Sequence, residues 1–307
     1  MNWSDLNGPA GRQALGGYAL VWILSTAYLA LSGGDWSFPI VSLLIFGCGF
    51  SALGWLLTRK MEAPAVPMNN PRRESLVLLG WLAIYGIVIF GWLYGVFKQA
   101  IPPGQTQQLA VLGFKLLVHV VIPTALLLAV GGSIRAMWDT GLQRKGFWTA
   151  LIVLCGISFG LLTLVSPALE QIGGLKLSPV ATLFAISAAW LWISLEAGLC
   201  EEFLFRAALQ SRLSAWLSSP AAGIVLTSLL FALSHVPGLF LRGTPDTDGY
   251  STDPFQVVAF TIATLSPLSL MLGVLWARSR SLLLVVLVHG AIDALQFTAQ
   301  FVHIWAG

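Results

Sequence analysis

Nine stretches of this chain, at roughly 14–31, 39–57, 76–97, 109–130, 147–165, 182–206, 221–240, 256–276 and 282–303, are long, apolar and almost free of charge. A helix needs about 20 mostly apolar residues to cross a hydrocarbon core. Inside a bilayer every backbone N–H and C=O must be satisfied by the chain itself, which leaves helices and closed barrels as the only spanning structures. The runs are too long for barrel strands and do not alternate over segments of about ten residues. Turn residues punctuate them: Pro64, Pro67 and Pro71; Pro102-Pro103-Gly104; Gly131-Gly132; Ser166-Pro167; Ser219-Pro220; and the stretch from Gly243 to Pro254. The expectation is an all-α, polytopic transmembrane helical bundle of eight or nine spans, in the plasma (inner) membrane and in contact with the lipid bilayer.

Charge content agrees. Only 9% of the 307 residues are charged and 57% are hydrophobic, against about 25% charged in an ordinary soluble domain. With a mean hydropathy of +0.82, this excludes a water-soluble enzyme, a disordered tail, a collagen and a disulfide-rich secreted module. The net charge of +3 gives no reason to expect a nucleic-acid partner.

Basic residues set the expected orientation, because cytoplasmic loops are enriched in Lys and Arg. One set of alternate loops holds 12 of them: Arg12, Arg59, Lys60, Arg72, Arg73, Arg135, Arg144, Lys145, Arg206, Arg212, Arg278 and Arg280. The other holds 3, Lys98, Lys176 and Arg242, while Lys115 lies inside a span. The amino terminus is therefore expected in the cytoplasm and, with nine spans, the carboxyl terminus outside. The first span has no convincing small-residue cleavage site after it and reads as a membrane helix rather than a signal peptide. Cys48, Cys155 and Cys200 all fall in apolar segments and read as packing residues, with Cys200 also weighed as a thiol nucleophile because it adjoins two carboxylates.

An ionisable group inside a span is unfavourable by a few kcal/mol on insertion scales, so each is a functional candidate. Most of them lie in the last third: Glu196, Glu201, Glu202 and Arg206; His235; His289 and Asp293. Glu202 and Arg206 are i,i+4 neighbours in the favoured order for an intrahelical pair. Glu201 lies about 100° around the helix, which leaves it the free carboxylate. His289 and Asp293 are also i,i+4, so the acid is able to fix the imidazole tautomer. At 1.5 Å per residue, Glu201 is about 16 Å from Arg212, His235 about 24 Å from Ser219 and His289 about 14 Å from Arg280. Helix tilt absorbs a spread of that size, so convergence is expected. Glu196 has no evident role beyond a hydrogen bond to a neighbouring helix, and Lys115, His119 and His303 read as structural. Asp246, Asp248 and Asp253 read as part of a solvated loop.

Three short patterns carry a resemblance. Glu201-Glu202-Phe203-Leu204-Phe205-Arg206 has the form EExxxR, Phe231 to His235 the form FxxxH, and His289 to Asp293 the form HxxxN/D. Each occupies its own apolar helix, in order. Together, over about 195–297, they resemble the CAAX-protease and bacteriocin-processing (CPBP or Abi) family of intramembrane proteases. The resemblance implies a helical site inside the bilayer, reached from the cytoplasmic side. It implies an intramembrane endopeptidase in which Glu201 and His235 activate water, His289 and Asp293 stabilise the oxyanion, and Glu202 and Arg206 position the first motif. Its substrate would be a membrane-embedded or lipid-anchored protein or peptide.

Asp293 stands where better-known members have Asn. An ionised carboxylate cannot donate to an oxyanion, so Asp293 is expected to orient a charged His289, which would be the donor. Glu201, His235 and His289 also make a His₂Glu set suited to a divalent metal such as zinc, although the HExxH spacing is missing. A metalloprotease and a glutamate-dependent, metal-free hydrolase both stay open. Residues 1–180 read as a scaffold of unrecognised function and 181–307 as the catalytic core. Two rivals remain: a proton-coupled transporter, which predicts polar groups in both halves with repeat symmetry, and a non-catalytic scaffold or immunity protein of the same fold.

Overall fold

The computed structural model describes residues 8–245 and 247–306; Asp246 lies outside the described residues. Among these there are helices and no strand. Nine helices are long and apolar enough to cross a membrane: Pro9–Leu31, Ser37–Leu57, Pro71–Gln99, Gln105–Ala129, Phe147–Leu164, Pro179–Trp216, Pro220–Arg242, Pro254–Ser279 and Leu282–Trp305. They are called the first to ninth spans below. The chain is an integral, multi-pass membrane protein.

Local chemistry starts many of these helices. Asn70, Ser178, Ser219 and Asp253 each precede a proline, and each side chain accepts a hydrogen bond from a backbone N–H in the first turn. Proline at the first helical position gives up a donor that would be orphaned there anyway, and the polar cap satisfies another. Ser281 caps the ninth span in the same way, accepting from Leu284 N–H. In Asp253 the second carboxylate oxygen accepts from the Tyr28 hydroxyl at 2.7 Å, so this aspartate is a helix cap and a clamp rather than a free loop charge.

Contacts fix two ends of the bundle. At one, Arg212 meets Glu74 and Ser133, Arg278 donates to Thr58 O, and Leu282 N–H donates to Asp139 O. The exposed basic residues Arg59, Lys60, Arg72, Arg73, Arg135 and Lys145 also lie there, so it is called the basic end. At the other, Gln256 donates to Ser32 O, and the Trp192 and Trp305 rings sit 4.9 Å apart.

The eighth and ninth spans are buried over 72% and 67% of their apolar windows, against 17% for the first and second. The last two spans therefore form the centre and the first two lie outside. One core cluster joins Leu78, Val118, Leu127 and Leu154 to Phe203, Leu272 and Val285, and so draws on both the amino-terminal and carboxy-terminal segments.

The sixth span departs from its expected end. It continues past Arg206 to Trp216, a helix of 38 residues, about 57 Å long. Hydropathy ends it early because Gln210, Ser211 and Arg212 are polar, yet all three are buried with partners. Arg206 and Arg212 are accordingly not loop cations, as the charge count assumed: both are fully buried against carboxylates.

Two glycines set how closely the sixth and ninth spans approach. A Cβ on Gly290 would fall 2.0 Å from Ser194 Oγ, and one on Gly198 would fall 2.7 Å from Val286 O. Small residues at a helix crossing let the backbones meet, the usual means of tight packing where lipid supplies no hydrophobic drive.

Candidate active site

The close crossing brings the first and third motifs together. Glu202 is fully buried; its Oε2 lies 3.0 Å from Arg206 Nε, one turn along the same helix. Its other oxygen, Oε1, bonds His289 Nδ1 at 2.8 Å from the ninth span. The far side of the imidazole, Nε2, faces Asp293 Oδ2 at 3.3 Å and Glu201 Oε2 at 3.9 Å. Carboxylates thus stand at both ring nitrogens, the arrangement that satisfies an imidazolium, which donates from each. The Glu202–Arg206 pair follows from spacing. The Glu202–His289 bond joins residues 87 apart and has no signal in the sequence.

Burial divides the two adjacent glutamates. Glu202 is 0% exposed and Glu201 16%, so Glu201 is partly open while Glu202 is locked between Arg206 and His289. The winding also loosens on either side of them, with i→i+5 turns over Ser194–Leu199 and Phe203–Gln210. Such turns are often found at functional sites.

His235 ends the straight part of the seventh span, just before Pro237. Its Nδ1 lies 2.8 Å from Phe231 O. A carbonyl only accepts, so Nδ1 carries the proton and Nε2 is left as a bare lone pair. The second motif stands against the others through its phenylalanine: the Phe231 ring is 4.8 Å from the His235 ring, 6.4 Å from the His289 ring and 5.0 Å from the Arg206 guanidinium carbon. An apolar groove of about 350 Å³ between the third and seventh spans, lined in part by Ala83, Leu230, Ser234 and Pro237, runs beside His235.

Several site neighbours come from the amino-terminal segment: Lys115 and His119, which sequence reasoning left structural, and Tyr85, which it did not single out. Lys115 of the fourth span pairs with Glu196 of the sixth at 2.7 Å, which supplies the missing account of Glu196. His119 Nδ1 faces Lys115 O at 2.9 Å, so its Nε2 accepts from the Tyr85 hydroxyl at 3.1 Å. One charge in an apolar helix is visible from sequence; its partner on another helix is not. Cys200 is fully buried with its thiol toward Leu195 O, so it is not presented as a nucleophile. His303 is exposed.

Among the described residues no group of three or more His, Cys, Asp or Glu is placed to hold a metal ion. Glu201, His235 and His289, weighed as zinc ligands, are in no such group; the His289 nitrogens face Glu202 on one side and Asp293 and Glu201 on the other.

Toward the basic end the site is closed. Gln210 Nε2 donates to Gly273 O at 2.8 Å, Trp276 Nε1 donates to Ser211 Oγ at 3.0 Å, and Arg280 donates to the same hydroxyl at 2.8 Å. Arg212 bonds Glu74 Oε2 at 3.1 Å and Ser133 O at 2.7 Å. Burial, and then the nearby Arg212 charge, pull the Arg280 guanidinium down to about 10, which leaves it charged at neutral pH.

No curated protein and no solved structure matches the chain. Residues 183–295 of the 307 match a protein-family model. That stretch holds Glu201, Glu202, Arg206, His235, His289 and Asp293. The matching family model is the Type II CAAX prenyl endopeptidase Rce1-like family, which agrees with the CAAX-protease resemblance of the three motifs and supports an intramembrane endopeptidase.

Proposed function

We propose that the protein hydrolyses a peptide bond in a membrane-embedded or lipid-anchored polypeptide, using water activated by Glu201 and His235. The observation that carries this reading is the arrangement around His289, with Glu202 on Nδ1 and both Asp293 and Glu201 near Nε2, inside apolar helices. Three carboxylates about one imidazole are unfavourable in a membrane unless they serve chemistry, and the stretch that holds them matches a protease family.

The chemistry follows from the donors and acceptors present. Glu201, partly solvated, takes a proton from water as its oxygen attacks the carbonyl carbon; the bare Nε2 of His235 is the second acceptor for that water. His289 turns its Nε2–H from Asp293 to the developing oxyanion, while Glu202 on Nδ1 holds the ring in orientation and both carboxylates balance its charge. Glu201 then returns the proton to the leaving amine as the C–N bond breaks. Arg206 neutralises Glu202, so that the net charge near the attacking water stays low. Residues 181–307 carry the reaction. Residues 1–180 hold that core and supply Lys115, His119 and Tyr85 beside it.

Terminal proteomics on membranes holding either the wild type or Glu201→Gln tests the reading and finds the substrate. New amino termini in membrane-anchored polypeptides are expected with the wild type and absent with Glu201→Gln. Identical termini in the two samples would contradict it, and would favour a non-catalytic scaffold or a transporter.

A further inference from the structure

A second groove, of about 300 Å³, lies against the crossing of the sixth and ninth spans. Leu191, Leu195 and Leu199 line it from the sixth span, and Leu283 and Val286 from the ninth. Ser194 and Val286, which meet Gly290 and Gly198 where the helices touch, form part of its wall. From Leu191 to Leu199 the groove follows the helix for about 12 Å. Its lining is apolar apart from two hydroxyls, Ser194 and Thr140, and Ser194 is buried. The shape and the lining suit a hydrocarbon chain.

At the basic end the groove is roofed by Trp138 and Thr140, from the loop between the fourth and fifth spans. That loop is held in place. Thr140 O accepts from the Ser281 hydroxyl, Asp139 O accepts from Leu282 N–H at 2.9 Å, and Arg144 binds both Asp139 and Ser279 O. The Trp138 ring stands 4.7 Å from the Phe203 ring, next to Glu202 in the chain, and its side chain is exposed. An amphipathic indole in such a place marks the level of the lipid headgroups.

The mouth carries positive charge. Arg135–Trp138 is one turn of 3₁₀ helix, in which residues three apart eclipse, so Arg135 shares the face of Trp138. Lys145 follows Arg144 in the same loop. Both Arg135 and Lys145 are exposed, and among the described residues neither has a carboxylate partner, whereas Arg144 is paired with Asp139. An apolar slot beneath two unpaired cations complements one class of ligand. A neutral lipid would leave the cations unmatched, a free phosphate would leave the slot empty, and a second copy packed two-fold on this face would set like charges together. Basic pockets between membrane helices take anionic lipid headgroups.

We propose that this groove is a specific site for an anionic phospholipid of the basic-end leaflet. One acyl chain lies between the sixth and ninth spans under Trp138, and the phosphate meets Arg135 and Lys145. The lipid is a bound ligand and not a substrate. It braces the crossing that holds Glu202 to His289, and the proposal stands apart from the hydrolytic reading.

Native mass spectrometry tests this on the purified full-length chain, in detergent micelles holding equal phosphatidylglycerol and phosphatidylcholine with matched acyl chains. Each basic residue near an anionic membrane surface strengthens binding by about fivefold, so the wild type is expected to retain phosphatidylglycerol over phosphatidylcholine by at least about tenfold. Arg135→Ala/Lys145→Ala should bring that preference down to about twofold or less. Leu195→Trp, which fills the slot, should lower retention of phosphatidylglycerol with both cations still present. Arg59→Ala/Lys60→Ala, at the same end but away from the groove, should keep the wild-type preference. Equal retention of the two lipids by the wild type would show ordinary boundary lipid only and overturn the proposal. So would an unchanged preference in Arg135→Ala/Lys145→Ala, an equal loss in Arg59→Ala/Lys60→Ala, or full retention in Leu195→Trp. Lipid retention requires no catalysis, so each of these results leaves the hydrolytic reading untouched, and an inactive chain that retains the lipid refutes that reading alone.

Discussion

At the scale of single residues, protonation follows from what each nitrogen faces. Phe231 O and Lys115 O fix protonated Nδ1 atoms on His235 and His119, while His289 has carboxylates at both nitrogens. The His119 Nε2 lone pair is taken by the Tyr85 hydroxyl, whereas His235 Nε2 presents its lone pair beside the site. His235→Ala is expected to lower turnover by about 10²–10⁴-fold, the range for a lost general base, with the yield of folded protein unchanged in size-exclusion chromatography. Asp293 acts by accepting from His289, and an asparagine oxygen also accepts. Asp293→Asn should therefore keep turnover within about tenfold, and Asp293→Ala should lose about 10²-fold, the loss expected when a catalytic group is misoriented. Equal rates in both variants would show that Asp293 does not orient the ring. The Glu202–Arg206 pair and the freedom of Glu201 are legible in sequence because helix geometry alone decides them. Glu202 with His289, and Lys115 with Glu196, depend on how separate helices pack, and no local spacing encodes that.

At the scale of elements, the nine spans are legible because membrane helices must be long and apolar, and their starts because Pro follows a polar cap at Pro71, Pro179, Pro220 and Pro254. The end of the sixth span is not legible, since buried polar residues with partners look like loop residues in a hydropathy profile. Its last turns are pinned to the third span by Glu74 and Arg212, both fully buried. Removing one member of a buried ion pair strands the other charge and destabilises by about 3–5 kcal/mol. Glu74→Ala should therefore lower the thermal unfolding midpoint in detergent markedly, whereas an exposed charge change such as Arg72→Ala should leave it nearly unmoved. The crossing at Gly290 gives a second handle. A valine there would drive into Ser194, and overpacking of this kind is unfavourable by about 1–3 kcal/mol. Gly290→Val should weaken stability and, by moving His289 from Glu202, reduce turnover far more than that stability loss explains. A variant that unfolds at the wild-type temperature and keeps full turnover would contradict the assigned role of this crossing.

At the scale of the whole molecule, scarce charge first places the chain in a membrane and then marks the places where charge persists. Those places lie in sequence along the bundle: a buried basic-end network, a carboxylate–imidazole centre at mid-depth, and the Lys115–Glu196 pair beside a cavity of about 160 Å³ lined in part by Lys98 and Gln108. The outer first and second spans, buried over only 17% of their windows, surround this axis rather than build it. The most direct test of the central claim is the rate at which purified wild type and Glu201→Gln, reconstituted in sealed vesicles, cleave a membrane-anchored peptide identified by terminal proteomics. The account predicts a loss of at least about 10²-fold in Glu201→Gln, with both proteins unfolding at the same temperature. Cleavage by Glu201→Gln at the wild-type rate would contradict it.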